Sequence, residues 1–150
     1  MKRILIVAAL CALLVGVAYA SHRPAPAGVP VSGGVNPEEG DYTLRDIAVP
    51  PNLWEDPILI GPVNGHAHVG PTVITVFGVN GQEVVAFPYS DDWAGDTWFP
   101  AVVGGEVRMI WVWRLIDEGP PKMYLISDWH LTSAGEWVLA GHMIATKAAD

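Results

Sequence analysis

The chain has 150 residues and a formal net charge of −8, with 16% charged and 51% hydrophobic residues. Typical soluble domains are about a quarter charged, so this protein is both acidic and sparsely charged. That balance argues against duplex nucleic acid and anionic membrane surfaces as partners, because both are held by clustered cations. It also points to a surface that in part faces another molecule.

Residues 1–20 open with Lys2 and Arg3, run apolar from Ile4 to Val17 and close on Ala18-Tyr19-Ala20. A basic start, a short apolar stretch and small residues before a junction mark an export signal, with cleavage expected before Ser21. The rival reading is an uncleaved membrane anchor, for which the segment is short against a hydrocarbon core about 30 Å thick. Either way the expected location is outside the cytoplasm, periplasmic or extracellular. Cleavage would move the net charge from −8 to −10, since Lys2 and Arg3 leave together. It would also remove Cys11, the only cysteine, leaving a domain without disulfides or thiolate chemistry.

Residues 21–40 are rich in Pro and Gly and lack apolar periodicity, which is the composition of a flexible tether. The folded unit, residues 41–150, is expected to be all-β. Tyr42 to Val49 reads as a strand that ends at Pro50-Pro51. Ile58 to Val63 and His66 to Val69 flank Asn64-Gly65, while Val73 to Val79 and Glu83 to Phe87 flank Asn80-Gly81. Asn-Gly between β-rich runs is a strong hairpin signal, because both central residues of the favoured turn take positive φ. Glu106 to Ile116, Lys122 to Leu131 and Glu136 to Thr146 read as three consecutive long strands. The simplest architecture is an antiparallel β-sandwich of about seven or eight strands with immunoglobulin-like topology. A small barrel is the alternative.

Taking odd positions as one face of the last three strands, Val107, Met109, Trp111, Trp113, Leu115, Met123, Leu125, Trp129, Leu131, Trp137, Leu139 and Met143 form an expected core face. The even face mixes Arg108, Asp128, His130 and His142 with Ile110, Val112, Tyr124, Ile126, Val138 and Ile144. It is too apolar for full solvation. Ile110, Val112, Tyr124, Ile126 and Val138 are therefore the expected partner surface.

Two further groups carry binding chemistry. The segment from Ser90 to Pro100 holds Asp91, Asp92, Trp93, Asp96 and Trp98. With Trp54, these offer aromatic planes and carboxylates to a glycan, or oxygen ligands to Ca²⁺; the competing reading makes Trp93 and Trp98 inward plugs. His66 and His68 stand on one side of an extended segment and suit Cu²⁺ or Zn²⁺. His130, His142 and Asp128 join them if the two regions meet. No nucleophile elbow, phosphate-binding glycine loop or His-Glu-x-x-His motif occurs, so no cofactor and no catalysis are expected. The leading expectation is a non-catalytic binding module of the cell envelope whose partner is another envelope protein or a second copy. Glycan binding and copper or zinc binding are the alternatives.

Overall fold

A computed structural model describes residues 25–48, 65–89 and 97–149. Eight antiparallel strands follow one another: β1 (Gly40–Ala48), β2 (Gly65–Val69), β3 (Val73–Phe77), β4 (Glu83–Pro88), β5 (Phe99–Val103), β6 (Glu106–Asp117), β7 (Met123–Leu131) and β8 (Trp137–Lys147). No helix occurs among the described residues. The strands lie in a single sheet of order β4-β3-β2-β1-β8-β7-β6-β5, in place of the two sheets of a sandwich. The edge strands β4 and β5 lie next to each other, so the sheet is nearly closed on itself. Each strand neighbours its sequence neighbours around the ring, and β1 pairs with β8. That is the connectivity of an up-and-down barrel.

The strands form where expected in most of the chain, for the expected reason: β-rich runs broken by glycine turns. At Asn80-Gly81 the turn differs. Gly81 has φ +76° and among the described residues no non-glycine residue has positive φ, so only one turn residue is left-handed. Gly78 and Gln82 close a longer loop by an N–H to carbonyl bond of 2.9 Å. The register of β3 and β4 shifts beside it, between Val76 and Phe77, as loops built around one left-handed glycine commonly require. The run Ile58 to Val63 and Asn64 lie outside the described residues, but Gly65 is no turn residue: it begins β2 opposite Leu44, without positive φ. β5 falls where no strand was expected from the sequence, because Pro100 disguises it. Proline is tolerated there since the strand is an edge, and Pro88 ends the opposite edge in the same way.

Aromatic rings fill the barrel. Tyr42, Phe87, Phe99, Trp111, Trp113 and Tyr124 point inward and are buried, with Leu44, Ile74, Val76, Ile126 and Met143 around them. Trp113 packs edge-on against Tyr42 at 5.4 Å and Tyr124 at 5.7 Å between ring centroids. Phe87 of β4 reaches Trp111 of β6 at 4.4 Å, and Tyr89 meets Phe99 at 5.4 Å. These two contacts draw the open edges together. Each such ring removes about 150–250 Å² from water, at about 25 cal/mol per Å².

The expected core face is corrected by the register. Odd positions of β6 pair with even positions of β7: Trp111 opposes Asp128 and Trp113 opposes Ile126. Tyr124 and Ile126 therefore join Trp111 and Trp113 inside. Trp129 and Trp137 join Ile110 and Val112 in a second, outer apolar cluster. Odd and even keep their meaning only within one strand; hairpin length and bulges reset it.

That outer cluster is covered by the chain itself. Val29 is buried on Ile110, Val112 and Trp98, with Ala25 and Val31 beside it. The Arg114 guanidinium donates to the carbonyls of Pro30 at 2.8 Å and Ser32 at 2.9 Å. Val35 N–H donates to the Trp113 carbonyl at 2.8 Å, and Thr97 N–H to the Gly34 carbonyl at 3.2 Å. Residues 25–35, tether-like in composition, thus lie along the outside of β6. A methyl group at Gly34 would run into the Thr97 carbonyl. Gly34→Ala should cost about 1–3 kcal/mol, the range for overpacking a filled site, read from the denaturant midpoint. It should also speed proteolysis between residues 25 and 35.

Farther along this segment, Glu38 lies between the ammonium groups of Lys122 and Lys147. The hydrogen bond from Lys122, then that from Lys147, holds the Glu38 carboxyl below its ordinary 4.5. The same carboxylate raises Lys122. A carboxyl depressed in the folded state contributes stability above its unfolded value and loses it as pH falls through the folded one. Glu38→Gln should therefore lower the midpoint at neutral pH and flatten its decline below about pH 4.5. Parallel pH profiles for the two proteins would show that the cluster contributes nothing.

Candidate functional site

The polar chemistry of the barrel sits on β7 and splits between its two sides. Inward, Asp128 Oδ1 accepts the indole N–H of Trp111 at 2.9 Å. Its other oxygen lies 2.9 Å from His130 Nε2. His130 is 2% exposed, and its Nδ1 is buried without a partner among the described residues. With the proton on Nε2, the ring donates to the carboxylate and leaves Nδ1 as a bare acceptor. Asp128 is thus an acceptor for two buried donors at once.

Outward, Ser127 Oγ accepts from Arg114 Nη1 at 3.2 Å and lies 3.3 Å from His142 Nδ1. This network stands behind residues 30–32, which Arg114 also holds. Ser127 is buried, so the arrangement fastens the segment and does not present a nucleophile.

The two histidine regions, which could form one site only by meeting, are placed apart. Thr132 and Glu136 do bond across a short loop, at 2.8 Å. A bulge between Asp128 and Trp129 then shifts the register, so that Asp128 opposes Gly141 and Ser127 opposes His142. His142 consequently lies outside and Asp128 with His130 inside. His66 and His68 lie on the outer side of β2, on the far side of β1 from β8. Among the described residues, no group of three or more His, Cys, Asp or Glu side chains is placed to hold a metal ion.

The expected partner surface is divided as well. Tyr124 and Ile126 are buried in the barrel, and Ile110 and Val112 are buried beneath residues 25–31. Val138 alone is half-buried. Trp98 is buried against Val29, Ile110 and Val112, which is the plug role and not that of a glycan platform. Trp54, Asp91, Asp92, Trp93 and Asp96 lie outside the described residues.

Four features had no signal in the sequence. Arg114 and Ser127 act only because a distant segment lies on them. Asp41 stands opposite His68 across the β1–β2 ladder, a pairing hidden by the long connection between the strands. At the end of the barrel that carries the β3–β4 and β5–β6 turns, Val79, Val102 and Val103 are 75%, 37% and 53% exposed. At the other end a groove of about 750 Å³ runs between Pro120, Pro121 and Ala148. Its lysines, Lys122 and Lys147, are engaged by Glu38.

The outward sides of β1 and β2 carry Asp41, Thr43, Arg45, His66 and His68, all exposed. That is the reverse of a strand pattern facing lipid. No helix among the described residues is long and apolar enough to cross a membrane. No family model, curated protein or solved structure matches the chain.

Asp128→Ala should leave the Trp111 indole N–H and the His130 ring unpaired inside the barrel, at about 1–3 kcal/mol for each. Asp128→Asn keeps an acceptor for Trp111 and should cost less. Equal denaturant midpoints for the two variants would show that the buried hydrogen bonds carry no weight.

Proposed function

We propose that the chain is a non-catalytic, exported binding module of the cell envelope, and that its partner is another protein. The supporting observation is where its apolar surface lies. The barrel interior is taken up by packed rings, so a ligand seated there would have to displace them. The outer cluster is roofed by residues 25–31. Val79, Val102 and Val103 instead protrude at the tips of two hairpins that flank the seam between β4 and β5.

Apolar side chains at loop tips, on a scaffold with few charges, are a common form of protein-docking surface. Proline at both edge strands weakens the rival mode of docking by strand addition. The export segment and the sparsely charged surface fit an accessory subunit that meets its partner outside the cytoplasm.

A photo-crosslinking residue placed at Val79 or Val103 should yield one shared adduct in envelope extracts, and the same residue at Thr43 should not. Val79→Asp combined with Val103→Asp should abolish capture without lowering the thermal midpoint. Equal adducts at all three positions, or capture unaffected by the double variant, would overturn the proposal.

A further inference from the structure

On the outward side of β2, His66 and His68 are both exposed and stand two residues apart. In a strand that spacing places their Cα atoms about 6.7 Å apart on one face, within reach for two imidazoles to share one ion. Each ring is already restrained. His66 lies flat on Phe77, its cross-strand partner, at 4.9 Å between centroids and 15° between planes. His68 Nδ1 lies 2.8 Å from Asp41 Oδ1. A carboxylate on one ring nitrogen selects the tautomer with the proton there and leaves Nε2 as a lone pair directed away. The same carboxylate–histidine pairing orients and strengthens histidine ligands in metal sites. As an ion pair alone, with side chains 55% and 67% exposed, the contact would add little to stability.

We propose that His66 and His68 form a surface site for a divalent transition-metal ion, Cu²⁺ before Zn²⁺, with Asp41 as the positioning residue that holds His68. Two imidazole nitrogens and two water oxygens make a tetragonal set suited to Cu²⁺, which also leads the affinity order for nitrogen ligands. Asp41 acts through His68 and is not a ligand, so the site needs no third protein side chain. Exposure of both histidines leaves the water positions open.

The test is a Cu²⁺ titration of the full chain followed by electron paramagnetic resonance, in a background carrying His22→Ala and His142→Ala to remove competing imidazoles. One ion with coupling to two nitrogens is expected, displaced by neither Mg²⁺ nor Ca²⁺. His66→Ala and His68→Ala should each lose the two-nitrogen signature. Asp41→Asn should keep that signature and weaken binding by roughly tenfold to a hundredfold, with an unchanged thermal midpoint. Asp41→Glu should restore part of the affinity. Single-nitrogen coupling in the parent, or affinities indifferent to His66→Ala or to Asp41→Asn, would overturn the assignment.

Discussion

An eight-stranded barrel has an interior just wide enough for side chains to fill, and this chain meets that constraint with Trp111 and Trp113. They sit inside at neighbouring inward positions of β6, 6.3 Å apart, and the remaining rings are placed by reference to them. Tyr42 and Tyr124 lean edge-on against Trp113, and Phe87 crosses the seam to Trp111. Burial among these rings also pushes the Tyr42 phenol well above its ordinary value, chiefly by desolvation and secondarily through Tyr124. Its hydroxyl finds the Glu38 carbonyl at 2.8 Å.

Filling by tryptophan brings an obligation that filling by leucine would not. An indole N–H taken from water needs an acceptor. Asp128 supplies one for Trp111 and also faces His130, while the Trp113 indole N–H is buried without a partner among the described residues. The inward Asp–His pair thus answers the Trp111 indole, which accounts for two polar side chains on a face otherwise apolar.

The outside of the barrel has its own economy. β6 and β7 present apolar residues on both faces, which a single layer of strands cannot bury. Residues 25–31 act as the second layer over Ile110 and Val112, and Arg114 fastens them through carbonyls. Proline and glycine suit this task. Such a segment adds no strand of its own, its carbonyls remain open to Arg114, and Gly34 passes where no side chain fits. Surface left over for function lies elsewhere: at the hairpin tips beside the seam, and on the polar outward side of β1 and β2.

Strand positions were legible because alternation and glycine turns are local signals; β5 was not, because Pro100 imitates a breaker wherever the chain is not known to be an edge. Pairing was legible only for sequential hairpins. Whether eight strands make one ring or two stacked sheets depends on the β1–β8 ladder, between residues at opposite ends of the domain. The sites follow the same division. His66 and His68 share a face by strand period alone. That Asp41 holds His68, that Asp128 faces Trp111 and not His142, and that Ile110 and Val112 are roofed were decided by the tertiary structure. The sequence by itself determined which segments are extended and how densely apolar they are. Only the folded chain decided which face points inward, because one bulged residue reverses every side chain that follows it.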